Sequence, residues 1–285
     1  MPKKTDDRGR PTTRPPGTAV LLETMLESLR HRAADAFGAW LDAVFVPQCL
    51  GCGRTGSHFC DRCRAGLRPL PPPWCKSCGQ TLQTLVRSVA VRFMATQVPL
   101  YPELSLELCL ECRRAPLPLA GLRSAGRLEG PLRRAVHRLK YRGQQGASRA
   151  LADLLVPLVE GLAIPTGQSG RPLVLPVPLH SAREQQRGYN QAALLARPLA
   201  GSLSAPYAPG LIRRLRSTVP QVGLSRQQRQ VNVQGAFVAS PRLAGRVVVL
   251  VDDVATTGST LGSAADACRA AGATSVYAVT LAREA

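Results

Sequence analysis

The sequence predicts an α/β domain with a parallel sheet flanked by helices, preceded by a small cysteine-rich module. Two observations lead to this fold class. Strand-like and helical patterns alternate through the second half of the 285 residues, as they do in parallel sheets covered by helices on both faces. Eight of the nine cysteines lie in the first half and form four C-x-x-C pairs. The chain is long enough for one such domain and one module.

Composition favours partners that carry phosphate. The formal net charge is +19 and comes mainly from arginine, whose planar guanidinium matches the geometry of phosphate. For any single arginine, a solvated surface position without a function is the alternative. Aromatic residues make up only 4% of the chain, so we expect an aliphatic core.

The amino-terminal residues MPKKTDD are not followed by the apolar stretch of a signal peptide. No later segment approaches the ~18 apolar residues of a membrane span. We therefore expect a cytoplasmic protein without a membrane span. In that reducing compartment, paired cysteines bind metal rather than form disulfides.

Two segments precede the cysteines. Residues 1–18 are basic, rich in proline and poor in apolar residues, which predicts a disordered tail. In residues 19–46, apolar residues recur at three- and four-residue steps, which predicts an amphipathic helix. We expect this helix to pack against the main domain, and binding to a membrane surface or a partner is the alternative.

The cysteine pairs predict a double zinc ribbon over residues 47–115. Each C-x-x-C spacing lets two thiolates bind one metal ion, and a structural zinc ion takes four thiolates. Eight thiolates therefore predict two structural zinc ions. The expected ligands of the first are Cys49, Cys52, Cys60 and Cys63, and those of the second are Cys75, Cys78, Cys109 and Cys112.

The assignment of cysteine pairs to the second zinc site has an alternative. An insert, residues 83–108, separates its two cysteine pairs, so an interleaved pairing is an alternative. We also expect the module to have a core separate from that of the larger domain. Loss of metal would then unfold the ribbon locally and leave the larger domain folded.

Residues 120–285 carry the alternating pattern of the main domain. Helices are expected at 130–140, 147–162, 191–203 and 259–271, and strands at 171–176, 210–215, 246–252 and 275–281. The apolar run RVVVLVD at 246–252 predicts a strand buried on both faces. The ninth cysteine, Cys268, lies among small residues of a helical pattern and is expected to fill core space.

The most informative segment begins where that buried strand ends. Asp252 and Asp253 close the strand, a hydroxyl-rich turn runs through Gly258, and a helix begins at Ser259. The free N–H groups of a helix start and nearby hydroxyls suit a phosphate group. The carboxylates would repel phosphate but can accept hydrogen bonds from ribose hydroxyls. The segment therefore predicts a sugar-phosphate site, with a plain helix cap as the alternative.

The run VVVLVDDVATTGSTL at 247–261 resembles the signature of type I phosphoribosyltransferases that binds 5-phosphoribosyl-1-pyrophosphate (PRPP). Other segments narrow the resemblance to the ComF family, which includes GntX-like proteins. They are the cysteine ribbons, HRLKY at 137–141, PVPLH at 176–180, RGYNQ at 187–191, and the spaced residues Gln221, Leu224, Arg229, Asn232, Ala236 and Phe237. The resemblance covers the chain from about residue 45 onward.

The resemblance implies a type I phosphoribosyltransferase-like parallel sheet flanked by helices over residues 120–285. It implies that Asp252 and Asp253 hold the ribose hydroxyls and that Mg²⁺ bridges ribose and pyrophosphate. It also assigns the 5′-phosphate to six consecutive residues, Ala255, Thr256, Thr257, Gly258, Ser259 and Thr260.

Two further segments would approach the pyrophosphate. Arg187 is the expected charge partner in the segment 180–190, and a solvated position is its alternative. Residues 217–232 stand where this fold carries a mobile hood, and Arg226 and Arg229 would close over the departing pyrophosphate.

The resemblance implies a phosphoribosyltransferase that binds PRPP and is linked to DNA uptake in natural transformation. The alternative is a non-catalytic, PRPP-responsive competence protein that binds single-stranded DNA. The expected partners are PRPP, single-stranded DNA and competence proteins. The sequence identifies no acceptor for a transferred phosphoribosyl group.

Overall fold

The computed structural model describes residues 46–82, 107–141, 145–165, 170–216 and 235–284. The predicted tail, nearly all of the amphipathic helix and most of the insert lie outside these ranges, as does the expected hood with Arg226 and Arg229. Within the described ranges, no helix has the length and apolar content needed to cross a membrane.

The helices and strands follow the predicted alternation. In chain order they are α1 (Asp61–Ala65), α2 (Leu110–Arg114), β1 (Gly121–Arg127), α3 (Gly130–Tyr141), α4 (Ser148–Ala152), α5 (Val156–Glu160), β2 (Leu173–Pro176), α6 (Ser181–Arg187), α7 (Gln191–Ser202), β3 (Ile212–Arg214), β4 (Phe237–Ala239), β5 (Val247–Ala255), α8 (Ser259–Ala270) and β6 (Ser275–Arg283).

Four strands form one parallel sheet in the order β1-β6-β5-β2. Val249 of β5 lies between Val174 of β2 and Tyr277 of β6. The first five residues of β5 are all buried because both faces of the sheet are covered, as the unbroken apolar run predicts. The parallel sheet flanked by helices is thereby confirmed. Strands β3 and β4 form a separate antiparallel pair.

Alternate residues of β5 belong to two hydrophobic clusters, one on each face of the sheet. Val249 and Val251 pack in the cluster that contains the buried faces of α3 and α7. Val248 and Leu250 pack in the cluster that contains α8. Cys268 of α8 is fully buried there, so its expected role as a core filler is confirmed, and burial raises the pKa of its thiol to about 12.

The structure differs locally from the expectations. The helix expected over 147–162 is two short helices, α4 and α5, because Pro157 has no N–H to continue a helix and lies in the first turn of α5. Helix α6 and strand β4 were not predicted, and neither was strand β1. Its sequence, GLRSAGR, lacks the β-branched and aromatic residues that favour strands, and pairing with β6 holds it in place.

The expectation of a separate core for the cysteine module was wrong. Leu50 and Phe59 lie in the same cluster as Leu132 and Leu139 of α3. The two arginines on the adjacent face of α3 add hydrogen bonds, because Arg138 Nη1 donates to Cys49 O at 2.7 Å and Arg134 donates to Gly51 O. A ribbon this small cannot bury its own apolar residues, so it completes the core of the larger domain.

The second half of the module docks against the edge of the sheet. Gly79 packs so closely on β1 that a Cβ at this position would collide with the Leu122 carbonyl oxygen. The buried guanidinium of Arg283 donates to Cys78 O at 2.6 Å. The side chain of Arg123 lies over the Trp74 ring, 4.7 Å from its centroid.

We expect Gly79→Ala to lower the free energy of unfolding by more than the roughly 1–2 kcal/mol that a left-handed backbone costs a non-glycine residue. Gly79 has φ +72°, and the added methyl group would also strike the β1 backbone. Chemical denaturation of both proteins measures the difference.

The matched control is Gly53→Ala, at the equivalent position of the first half of the module. Gly53 has φ +83°, but the nearest atoms to its added Cβ are the tips of the Arg138 side chain, at 3.6 Å or more. This variant should show the backbone cost alone. Equal losses in the two variants would contradict close packing at Gly79.

Candidate ligand site and metal sites

The eight paired cysteines form two tetrads. The first tetrad is Cys49, Cys52, Cys60 and Cys63, and the second tetrad is Cys75, Cys78, Cys109 and Cys112. The sulfur atoms of each tetrad lie within 4.8 Å of one another. Cys52 and Cys60 have sulfurs 3.7 Å apart, as do Cys78 and Cys109. Four sulfurs at about 2.3 Å from one zinc ion in a tetrahedron have this spacing, so both tetrads fit structural zinc.

Both tetrads are built from the same two local structures. The first is a knuckle: Gly53 N–H donates to Cys49 O and, in the second copy, Gly79 N–H donates to Cys75 O, both at 2.8 Å. The second is a helix start, because α1 begins directly after Cys60 and α2 directly after Cys109. The two ribbons are therefore one design repeated, and the interleaved pairing does not occur.

The candidate ligand site lies at the carboxyl end of β5, where parallel sheets bind their ligands. Asp252 and Asp253 lie near this end of the strand, and the 255–260 loop leads into α8. Gly258 has φ +81° and is the N-cap of α8, so no side chain covers the helix start from this position. This geometry leaves the amino end of α8 suited to an anion.

Hydroxyl groups hold the 255–260 loop in shape. The hydroxyl oxygens of Thr257 and Ser259 are 2.6 Å apart, and Ser259 N–H donates to Thr257 Oγ1 at 3.3 Å. Thr256, Thr257 and Thr260 are half-buried, while Gly258 and Ser259 are buried. The loop is thus ordered by its own side chains while part of its hydroxyl surface stays accessible.

Asp253 is the centre of a network of polar side chains. Its Oδ2 lies 2.7 Å from Nζ of Lys140, and its Oδ1 accepts from Gln191 Nε2 at 3.4 Å. Gln191 in turn accepts a hydrogen bond from Arg187 through its amide oxygen. Lys140 and Asp253 are both mostly buried. Although burial opposes the charged form, the Asp253 carboxylate raises the pKa of Lys140 above its ordinary value.

Asp252 lies beside this network and is half-buried. Its Oδ1 accepts from Asp253 N–H at 2.8 Å. Burial raises the pKa of the Asp252 carboxyl well above its ordinary value, and the neighbouring Asp253 carboxylate raises it further. The two acids therefore differ in environment: Asp253 is paired with a cation, while the charged form of Asp252 is disfavoured.

Hydrogen bonds to the sheet and to α3 position the residues between α6 and α7. Tyr189 donates its hydroxyl hydrogen to Leu139 O at 2.7 Å, and Asn190 Nδ2 donates to Val177 O at 3.0 Å. Asn190 also caps α7 by accepting from Ala192 N–H at 2.9 Å. Arg187, just before this segment, lies with its guanidinium 5.5 Å from the centroid of the Tyr141 ring.

The structure brings together most of the residues expected at the site. Asp252, Asp253 and the 255–260 loop share the end of β5, and Arg187 is linked to Asp253 through one glutamine. Arg229 lies outside the described residues. Sequence reasoning missed two contributors, Lys140 and Gln191, although each lies inside a segment that carries the ComF resemblance. Only the fold shows that their side chains meet Asp253.

Two family models match this chain. The phosphoribosyl transferase domain matches residues 191–285, and the double zinc ribbon domain matches residues 40–113. Competence protein F of Haemophilus influenzae is 31% identical over 245 residues, which cover 83% of this chain and 96% of that protein. The chain belongs to the ComF family.

A second curated relative and one solved structure are also similar to this chain. The ComF-family chain is also 35% identical over 202 residues to DNA utilization protein YhgH of Salmonella typhimurium, covering 69% of this chain and 89% of that protein. A solved structure of the glutamine PRPP amidotransferase of B. subtilis, complexed with ADP and GMP, is 21% identical. The match covers 50% of this chain and 30% of that chain, with a TM-score of 0.34.

We expect Asp252→Asn to raise the free energy of unfolding at neutral pH. The pKa of Asp252 is higher in the native state than in the unfolded state, because the native state disfavours the charged form. The native state therefore loses stability as the pH rises from the unfolded pKa through the folded pKa. The amide removes this charge and keeps an oxygen that accepts from Asp253 N–H. Urea unfolding of both proteins from pH 5 to pH 8 should show a gain that grows with pH.

Both proteins keep the same cysteine tetrads, so any loss of metal at low pH affects them equally. A variant less stable than the parent at pH 8 would contradict the disfavoured charge on Asp252.

Proposed function

We propose that this chain binds PRPP together with Mg²⁺ and transfers its phosphoribosyl group. One observation carries the proposal: a buried strand delivers two carboxylates and a hydroxyl-rich loop to the start of a 12-residue helix. Acids and an anion site directly side by side suit a ligand with neutral hydroxyls at one end and phosphate at the other. Ribose 5-phosphate has both.

The two halves of the site have separate roles in this proposal. Asp252 and Asp253 would accept hydrogen bonds from the ribose hydroxyls, and the 255–260 loop would donate to the 5′-phosphate. Because Lys140 already compensates Asp253, the site places less net negative charge near the phosphate than two free carboxylates would. Carboxylate oxygens are also the ligands that Mg²⁺ prefers.

Two cations suit the pyrophosphate. Lys140 and Arg187 flank Asp253, one by direct contact and the other through Gln191. In the proposed reaction an acceptor nucleophile bonds to the anomeric carbon while the C–O bond to pyrophosphate breaks, and pyrophosphate leaves with the electron pair. Fixed cations near the leaving group would stabilise that charge as it develops. The acceptor is not identified by any described residue.

We expect Asp252→Asn and Asp253→Asn each to weaken PRPP binding about tenfold to a hundredfold, because each removes a charged hydrogen-bond acceptor worth roughly 1.5–3 kcal/mol. Isothermal titration with PRPP and Mg²⁺ measures the affinity. Asp253→Asn also leaves Lys140 without its carboxylate, so its folding must be checked by circular dichroism.

Asp266→Asn is the matched control. It removes the same charge from an exposed position of α8, about 10 Å further along the helix axis. Its affinity for PRPP should stay within about twofold of the parent. Unchanged binding in both Asp252 and Asp253 variants would mean that the end of β5 is only structural.

A second function is favoured by the charge of the chain and by the names of its relatives. The formal net charge of +19 suits binding along a phosphate backbone, and the relatives are named for competence and for DNA utilization. We propose that the protein acts in DNA uptake and binds single-stranded DNA, with PRPP as a substrate or as a signal. Release of pyrophosphate, assayed across nucleobases and amines, separates the two: binding without release would favour the signal.

We expect the affinity for single-stranded DNA to fall steeply between about 50 and 200 mM salt and to depend little on base sequence, since backbone contacts release bound counterions. Fluorescence anisotropy with two oligonucleotides of unrelated sequence measures both properties. A flat salt dependence, or no binding at low salt, would remove DNA from the proposal.

A cytoplasmic location is part of the same proposal. Both tetrads need reduced cysteines to bind zinc, and a reducing compartment keeps thiols in that state. The zinc ions would be structural, because all four ligand positions of each tetrad are taken by sulfur and none is left for a substrate.

A further inference from the structure

One leucine lies between the second tetrad and the 255–260 loop. Leu117 packs against the cluster formed by the second tetrad and also against the sheet cluster that contains α8. On the loop side it is very close to two glycines. A Cβ added at Gly258 would lie 2.6 Å from Leu117 Cδ1, and one added at Gly262 would lie 3.2 Å from Leu117 Cδ2. The start of α8 therefore rests on this side chain.

Ser77 holds Leu117 by its backbone. Leu117 N–H donates to Ser77 Oγ at 2.8 Å, and the same hydroxyl donates to Leu117 O at 3.3 Å. Ser77 is buried and lies inside the second knuckle, between Cys75 and Cys78. Because Ser77 directly precedes Cys78 and lies two residues after Cys75, a zinc ion bound by these cysteines would fix the hydroxyl that holds Leu117.

A second connection reaches the other end of the loop. Arg283 donates to Cys78 O at 2.6 Å, and the next residue, Glu284, donates its N–H to Ala255 O at 3.0 Å. Ala255 is the first residue of the loop and pairs in register with Arg283. The second knuckle is thus linked to both ends of the loop, through Arg283 at Ala255 and through Leu117 at Gly258.

The first ribbon is linked to the ligand site in a different way. Its knuckle accepts hydrogen bonds from Arg134 and Arg138 of α3, the helix that carries Lys140. The two copies of one design therefore support different parts of the site. The first supports the helix that compensates Asp253, and the second supports the loop expected to bind phosphate.

We propose that Leu117 and Ser77 are positioning residues for the phosphate loop, and that zinc in the second tetrad and a sugar phosphate on the 255–260 loop stabilise each other's binding. This inference rests on the proposed function of the loop. With the tetrad loaded, Ser77 and Leu117 hold Gly258 and the start of α8 in the binding conformation. Without metal, the knuckle loses its structure and the loop loses its support.

The first measurement is the affinity for ribose 5-phosphate, by isothermal titration without Mg²⁺. Leu117→Ala and Ser77→Ala should each weaken binding roughly three- to thirtyfold. Leu117→Met, which nearly conserves the side-chain volume, should bind ribose 5-phosphate with nearly the affinity of the parent.

Two controls remove similar groups from the same ribbon. Leu108→Ala removes a leucine that packs against the second tetrad, and Thr81→Val removes a hydroxyl that donates to Pro71 O. Both should bind ribose 5-phosphate like the parent, within about twofold.

The second measurement distinguishes positioning from a general loss of stability. Linkage requires that saturating ribose 5-phosphate raise the zinc affinity of the second site by the same factor by which zinc raises the sugar-phosphate affinity. Zinc retained at equilibrium against a chromogenic chelator reports this factor. The parent should hold two zinc ions and retain one of them better with ribose 5-phosphate. Leu117→Ala and Ser77→Ala should lose this response, and Leu108→Ala should keep it.

Cys52→Ser shows which of the two zinc ions responds to ribose 5-phosphate. It weakens the first site at its exposed cysteine, so the better retention of zinc in the second site should persist. If the parent binds ribose 5-phosphate but its zinc affinity does not respond, or if Leu117→Ala and Ser77→Ala bind and respond like the parent, the positioning role is wrong and the proposed function stands. If the parent binds neither ribose 5-phosphate nor PRPP, both are wrong. Should Leu117→Ala fail to fold, Ser77→Ala carries the same test, because it removes one hydroxyl and leaves the packing in place.

Discussion

The contact between Lys140 and Asp253 is the interaction on which the rest of the site depends. Strand β5 is buried on both faces and carries two adjacent carboxylates near its carboxyl end, which repel each other away from water. One mostly buried ammonium, 2.7 Å from Asp253, makes that arrangement possible. Lys140 can be there only because α3 packs on the sheet, and α3 is fastened to the first ribbon through Arg134 and Arg138.

Gln191 connects Arg187 to Asp253, which a charged side chain could not do by both donating and accepting a hydrogen bond. Its amide oxygen accepts from Arg187 and its amide nitrogen donates to Asp253. It therefore links a cation to an anion without a direct ion pair between them. Arg187 is therefore held in position while its charge is not cancelled by direct contact with the carboxylate. A site whose charges are fixed before a ligand arrives needs little reorganisation when the ligand binds.

Much of this fold could be predicted from local patterns. The unbroken apolar run identified β5, and the hydroxyl-rich turn after Asp252 and Asp253 identified the loop and the start of α8. Cysteine spacing identified both tetrads. What could not be predicted depends on contacts between segments distant in sequence. Strand β1 exists because β6 pairs with it, and Lys140 belongs to the site because α3 packs beside β5. No spacing within either segment encodes those neighbours.

The shared core has a consequence for how such a protein changes over evolutionary time. Leu50 and Phe59 of the first ribbon pack against α3, so the ribbon is not an independent module that could be gained or lost without affecting the larger domain. Its loss would open the apolar face of α3 to water, and exposed patches of that kind promote aggregation. We therefore expect substitutions in the ribbon and on the apolar face of α3 to be tolerated only when they preserve the packing between the two. Structural zinc in the first tetrad would therefore contribute to the stability of the larger domain as well as to that of the ribbon.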